Sequence, residues 1–124
     1  WFDAYSADGP YRLLVADTGD AVIGYASSSR FKTRDAYRTS VETTIYVHPD
    51  ATGTGIGNRL YGELLARLRA DDRLHRAYAG IALPNDASIA LHESLGFHLA
   101  GTYREVGYKF DRYWDVAWYE CDLD

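Results

Sequence analysis

The stretch Thr44-Ile-Tyr-Val-His-Pro-Asp-Ala-Thr-Gly-Thr-Gly-Ile-Gly57 limits what this chain can fold into more than any other. It reads as a β-strand, a glycine-rich turn and the first turn of a helix. The strand ends at His48-Pro-Asp50, because proline cannot donate to a central ladder. Glycines at 53, 55 and 57 then permit a tight turn whose backbone N–H groups converge on one spot. The helix N-terminus adds its partial positive charge there. Such a turn is a seat for a phosphate group.

The flanking sequence places this unit in a mixed sheet. Tyr11–Ala16 and Ala21–Ser28 are strand patterns joined by the turn Thr18-Gly-Asp20, which predicts an antiparallel hairpin. The polar stretch 30–38 is a loop, and Ser40–Val47 alternates like a half-buried strand. Ile56, Leu60, Tyr61, Leu64, Leu65 and Leu68 form one apolar stripe, so the spacing predicts a helix over Gly57–Ala70. Ala77–Leu83 is a short buried strand. Asn85 is the expected N-cap of a helix over Ala87–Leu95, with Gly96 as its stop. Phe97–Lys109 and Trp114–Cys121 read as aromatic-rich strands joined by Phe110-Asp-Arg-Tyr113. The order β-β-β-α-β-α-β-β predicts an α/β domain.

Composition narrows the partners. At 124 residues the chain is expected to be one domain, spanning 1–124. A net charge of -5 and the lack of a basic run argue against nucleic acid. No apolar run reaches membrane-span length, so no membrane is expected as a partner. The single Cys121 excludes an internal disulfide and a cysteine zinc site. His48, His75 and His98 lack metal-ligand spacing, so no metal is expected and they read as structural or exposed.

The glycine turn admits few phosphate carriers. A P-loop requires Lys followed by Ser or Thr after the glycines, whereas Gly57 is followed by Asn58-Arg59. A dinucleotide fingerprint is spaced G-x-G-x-x-G, whereas the glycines here fall at every second position. A turn with no ligand is the plain alternative.

A second motif, Asn85-Asp-Ala-Ser-Ile-Ala-Leu-His-Glu-Ser-Leu-Gly-Phe97, follows at a suitable distance. With Thr52-Gly-Thr-Gly-Ile-Gly57 it resembles the GNAT superfamily of N-acetyltransferases, although Thr52 stands where Arg or Gln is usual. Val41-Glu-Thr-Thr-Ile-Tyr-Val47, Leu91-His-Glu93, Arg104-Glu-Val-Gly-Tyr-Lys-Phe110 and Trp114-Asp-Val116 are similar to the phosphinothricin acetyltransferase group. That group includes methionine sulfoximine acetyltransferases. The resemblance implies the GNAT fold, a mixed and mostly antiparallel sheet with flanking helices. The family's first strand and first helices are expected to precede Trp1.

The same resemblance implies acetyl-CoA as cosubstrate and a small-molecule amine as acceptor. Thr52, Gly53, Thr54, Gly55, Ile56 and Gly57 would hold the pyrophosphate. Backbone groups of Ile45, Tyr46 and Val47 would meet the pantetheine arm and polarise the carbonyl, with Asn85 and Ser88 also on the arm. In this superfamily that strand splays from the next.

Acyl transfer to an amine benefits from a general base, because a free amine is mostly protonated near neutral pH. Glu42 occupies the position of the group's catalytic glutamate. His92 stands where many relatives carry tyrosine, and is expected to act on the leaving sulfur or on the amine. Lys32, Arg34 and Tyr37 in the loop, with Tyr108, are the expected acceptor contacts, Arg34 being a geometric match for a carboxylate. A cytoplasmic homodimer is expected. Acetylation of a polyamine or a protein N-terminus, or a non-catalytic acyl-CoA-binding module, are the alternatives.

Overall fold

The computed structural model describes Phe2–Ala4 and residues 10–124, with side chains described from Pro10 onward. The strands form one seven-stranded sheet in the order β1-β2-β3-β4-β5-β7-β6. They are β1 (Phe2–Ala4), β2 (Leu13–Asp17), β3 (Val22–Arg30), β4 (Ser40–Val47), β5 (Arg76–Ala82), β6 (His98–Lys109) and β7 (Arg112–Asp122). The helices are α1 (Ile56–Arg69), between β4 and β5, and α2 (Asp86–Ser94), between β5 and β6. Only β4 and β5 are parallel; the other neighbours are antiparallel. The predicted mixed, mostly antiparallel sheet is therefore present. The short strand β1 is an addition that the sequence pattern did not reveal.

The core lies between the sheet and α1. Leu60, Tyr61, Leu64, Leu65 and Leu68 of the stripe are buried against Leu14, Ala16, Ala26, Val41 and Ala77. Gly24 on β3 lets the helix approach this closely. A Cβ there would lie 2.8 Å from the Tyr46 carbonyl oxygen and 3.1 Å from Leu60 Cδ1. Among the described residues, no helix is long and apolar enough to cross a membrane.

Helix α2 begins and ends as its sequence predicts. The Asn85 side chain accepts the Ser88 N–H at 3.1 Å, which satisfies one orphan donor of the first turn. At the other end Gly96 has φ +95°. Gly96 N–H donates to Glu93 C=O and Phe97 N–H donates to His92 C=O, the paired closure that a left-handed glycine permits.

The β6–β7 hairpin is tighter than expected. Phe110 and Asp111 both have positive φ, 55° and 58°, and alone separate the strands. This is the two-residue geometry with both central residues left-handed, so Arg112 and Tyr113 belong to β7. Further along, the ladder slips between Tyr103 and Gly107. Asp115 Oδ1 accepts the Glu105 N–H at 2.8 Å, and this holds the bulge in shape.

Leu64 is fully buried on the helix–sheet interface. Leu64→Ala should lower unfolding free energy by about 2–5 kcal/mol, the usual cost of lost transfer energy plus a cavity. Urea unfolding followed by circular dichroism checks this; a change under about 1 kcal/mol would mean that the stripe does not anchor the core.

Candidate active site

Strands β4 and β5 pair only at Ser40–Arg76, Val41–Ala77 and Glu42–Tyr78. Beyond Glu42 they part, β4 running to Val47 and β5 to Ala82. β3 follows β4 and β7 follows β5 throughout, so the sheet forks at Glu42. The polarity of the fork follows from the ladders. His48 N–H donates to Ile23 C=O, and bonding residues alternate along an antiparallel pair. With Gly24 opposite Val47, Thr44 and Tyr46 also direct their backbone groups at β3. Thr43, Ile45 and Val47 therefore direct theirs towards β5: the Glu42–Tyr78 pair uses the Thr43 N–H, and the Thr43 carbonyl and the backbone of Ile45 and Val47 face the gap. Leu83 N–H donates to Asp115 C=O, and the same alternation turns the backbone of Gly80 and Ala82 into the gap from β5. Ile45 and Val47 thus stand where the sequence expects the arm to bind, while the Tyr46 backbone is turned to β3 and its ring stacks on Tyr25 at 5.5 Å.

The glycine turn lies at the open end of this gap. Gly53 and Gly55 have φ of +82° and +83°, a conformation that side-chain-bearing residues adopt only at a cost. Gly55 is the N-cap of α1 and no side chain caps it. The first turn of α1 thus keeps its orphan donors for another acceptor. A concavity of about 210 Å³ is lined here by Val47, Thr52, Gly53, Gly55, Gly57 and Leu91, among others. Thr52 is exposed and its hydroxyl donates to Pro49 C=O. Ile56 is buried in the core and Thr54 Oγ1 donates to Ala51 C=O, so both side chains are engaged within the protein.

Side-chain alternation separates the candidate catalytic groups. Val41 and Thr43 face the helices and are buried, so Glu42 projects from the opposite face, between Ser29 and Tyr78 in register. Phe31 stacks on Tyr78 at 4.6 Å and meets Trp118 edge-on at 6.2 Å. The Trp118 indole lies over Gly80, where a Cβ would be 3.2 Å from the ring. These rings wall a cavity of about 400 Å³ that Lys32 and Tyr103 also line.

Tyr37 meets Phe31 edge-on at 6.3 Å and Lys32 Nζ sits 5.1 Å from the same ring. The predicted loop therefore does flank the Glu42 face. Arg34 precedes the short turn Asp35–Tyr37 without a side-chain capping bond and is exposed. The sequence reading missed Phe31, Tyr78 and Trp118, because their convergence depends on the β4–β5 register. Tyr108 lies elsewhere, at the hairpin end of the sheet. There it lines a cavity of about 430 Å³ with Ala82, Phe110 and Trp114.

His92 lies on the helix side and is buried, 3% exposed. Its Nδ1 is 2.7 Å from Ser88 C=O. A carbonyl can only accept, so Nδ1 carries the hydrogen and Nε2 of the neutral ring is an acceptor. The ring meets Tyr61 edge-on at 5.0 Å and Phe97 at 5.1 Å. Burial pushes the His92 pKa below the ordinary histidine value, partly offset by the Ser88 hydrogen bond. Ser88 and Asn85 are both engaged within the helix start that holds this histidine.

The remaining histidines are structural or exposed, as expected. His48 Nδ1 accepts the Asp50 N–H. His75 pairs with Asp124 at the far end of β5. His75, Asp122 and Asp124 bring ligand-type atoms within 4.8 Å of one another, all on exposed residues; the His75–Asp124 hydrogen bond and the Asp124 N–H donated to Asp122 Oδ1 already link the three. His98 is exposed.

The forked sheet, with a glycine turn and an uncapped helix N-terminus at its open end, makes a slot lined by unpaired backbone groups. The sequence profile described as acetyltransferase (GNAT) domain matches residues 1–118. The chain is 58% identical over 125 residues to a phosphinothricin N-acetyltransferase of Streptomyces coelicolor, covering 99% of this chain and 72% of that protein. It is 39% identical to an L-methionine sulfoximine/L-methionine sulfone acetyltransferase of Pseudomonas paraeruginosa, covering 100% of this chain and 72% of that one.

A phosphinothricin acetyltransferase of Sinorhizobium meliloti, solved in complex with acetyl-CoA, superposes with a TM-score of 0.84 at 43% identity. That match covers 91% of this chain and 61% of that one. This chain belongs to the GNAT acetyltransferase family. It spans between 61% and 72% of the length of these relatives.

The buried His92 makes stability depend on pH. Its folded pKa lies below its unfolded value, so folding favours the neutral ring. This contribution is complete above the unfolded histidine value of about 6.5 and is lost as pH falls through the folded pKa. The urea midpoint should therefore fall between pH 7.5 and pH 5, and His92→Gln should fall less over the same interval. Equal losses in both proteins would show that His92 is not the group responsible.

Proposed function

We propose that this single domain transfers the acetyl group of acetyl-CoA to the primary amine of a small carboxylate-bearing molecule. The acceptor class is an amino-acid analogue of the phosphinothricin or methionine sulfoximine kind. The observation that carries the reading is the fork: Glu42 is the last residue of β4 paired with β5, immediately before backbone groups that face an open gap. The named relatives support the same chemistry.

Acetyl-CoA would supply the activated acyl carbon. The orphan donors of the α1 N-terminus and the backbone of the 52–57 turn would hold its pyrophosphate. The N–H groups of Ile45 and Val47, aimed into the gap, would bind the arm and polarise the carbonyl, a preorganised arrangement that stabilises developing negative charge. No metal is called for by this donor set.

Glu42, on the opposite face from the helices, takes a proton from the acceptor ammonium, directly or through water. The amine nitrogen then bonds to the acyl carbon, the carbon–sulfur bond breaks, and one of the nitrogen's two hydrogens leaves as a proton that the thiolate takes up, while the other stays on the amide. His92 with Nδ1 committed to Ser88 presents an accepting Nε2. An accepting Nε2 suits relay of that second proton from the amine to the thiolate rather than direct donation from the resting ring. Lys32 and Arg34 answer the acceptor's carboxylate and Tyr37 sits on the Phe31 ring beside them, whereas Tyr108, in its separate cavity at the hairpin end, is given no acceptor role.

We also propose a cytoplasmic homodimer. The intracellular placement rests on the demand for acetyl-CoA and on Cys121 being a buried free thiol. The dimer rests on edge strand β6 and the adjoining turn and strand, where Tyr103, Val106, Tyr108, Phe110 and Tyr113 are exposed.

Glu42→Gln should reduce kcat by about 10²–10⁴-fold, the usual contribution of a positioned base. Acetyl-CoA affinity by calorimetry should stay within about twofold, because the glycine turn and the Ile45–Val47 backbone are untouched. Loss of affinity with turnover would make Glu42 a structural residue. Free-thiol release should be accelerated by L-phosphinothricin or L-methionine sulfoximine; acceleration by spermidine alone would overturn the acceptor class.

A further inference from the structure

The stripe of α1 contains one residue whose chemistry its packing does not require. Ile56, Leu60, Leu64, Leu65 and Leu68 are aliphatic, but position 61 is a tyrosine, fully buried. A buried phenol hydroxyl is costly unless it is paired. Here Tyr61 Oη lies 2.6 Å from Thr43 Oγ1, and Thr43 is itself 3% exposed. Burial pushes the phenol pKa above its ordinary value, so the hydroxyl keeps its proton and the contact is a neutral hydrogen bond.

Its place in the fold gives this bond a role. Glu42 makes the last β4–β5 pair, so Thr43 is the first residue of the free arm of the fork. Its N–H closes the last β4–β5 pair, its carbonyl faces the gap and its side chain is tied to α1. From the same position the Tyr61 ring meets His92 edge-on at 5.0 Å. His92 in turn packs near Tyr119 at 6.4 Å, and Tyr119 is opposite Ala79 of β5. Tyr61 therefore holds one arm by a hydrogen bond and touches the other through the histidine, from the helix side.

We infer that the Tyr61–Thr43 hydrogen bond pins the fork at its vertex, making Tyr61 a positioning residue that fixes the gap and His92 relative to Glu42. The catalytic part of this inference rests on the function proposed above; the binding part does not. Tyr61 touches neither acceptor nor reacting atoms and acts through Thr43 and His92.

The test uses Tyr61→Phe, Thr43→Val, Thr43→Ser and the double variant Tyr61→Phe/Thr43→Val, all assayed well below their unfolding midpoints. Acetyl-CoA affinity is measured by calorimetry, with kcat and KM for the acceptor alongside. Tyr61→Phe and Thr43→Val should each weaken acetyl-CoA binding and lower kcat by about 10-fold. The double variant should be no worse than either single, because both remove the same bond. Thr43→Ser, which keeps the hydroxyl, should stay within about twofold of the parent.

A lowered unfolding midpoint with unchanged affinity and kcat would overturn the inference. So would multiplicative losses in the double variant, or failure of Thr43→Ser to behave like the parent. If no amine is acetylated, the functional reading fails, while the affinity series still decides for or against the pin.

Discussion

The parting of β4 from β5 after Glu42 is the constraint on which the rest of this structure depends. An interior strand that leaves its neighbour gives up ladder bonds, and each buried backbone group left unpaired costs about 1–3 kcal/mol. The arrangement stands because the strands outside the fork hold both arms, β3 along β4 and β7 along β5. What the fork creates is a row of inward-facing amides and carbonyls, arranged as one side of an unfilled ladder. A linear chain of amides such as a pantetheine arm matches that row. A compact ligand would leave most of it unsatisfied.

Everything near the fork serves to hold its shape or to use it. Gly24 brings α1 close under β3 and β4, and the turn at Gly53 and Gly55 delivers the helix N-terminus to the open end of the gap. Asn85 and Gly96 fix the ends of α2, which sets the height of His92 beneath the sheet. Because side chains alternate along β4, Glu42 and the buried histidine lie on opposite faces. An acceptor reaching Glu42 comes from the aromatic side of Phe31, Tyr78 and Trp118. In the proposed reaction, acceptor approach and cosubstrate seat would thereby occupy different parts of one slot.

Local order was legible in the sequence and tertiary convergence was not. The six-residue stripe of α1, the alternation of β4 and the cap pair Asn85 and Gly96 are short-range patterns, and each element they predict is present within a residue or two. The strand β1 is too short to carry a pattern, and a left-handed Phe110 is not a turn signal by residue type. Tyr61 read as one more apolar position, since its hydroxyl gains meaning only when Thr43 is seen opposite. The aromatic wall around Glu42 and the burial of His92 among Tyr61, Phe97 and Tyr119 join residues far apart in the chain. The glycine turn and the strand before it were legible from their own spacing, whereas roles for Glu42, His92 and the Ile45–Val47 backbone came through a family resemblance. What that strand offers, Ile45 and Val47 inward and Tyr46 outward, required the ladder register.

Amide hydrogen exchange by NMR, with and without acetyl-CoA, tests the fork most directly. In the free protein the Tyr46 N–H should already be protected by β3, while the Ile45 and Val47 N–H groups exchange faster. Adding acetyl-CoA should slow exchange at Ile45 and Val47 and at the first residues of α1, leaving Tyr46 nearly unchanged. Protection of Ile45 and Val47 equal to that of Tyr46 before ligand is added, or no change when it is, would contradict the account.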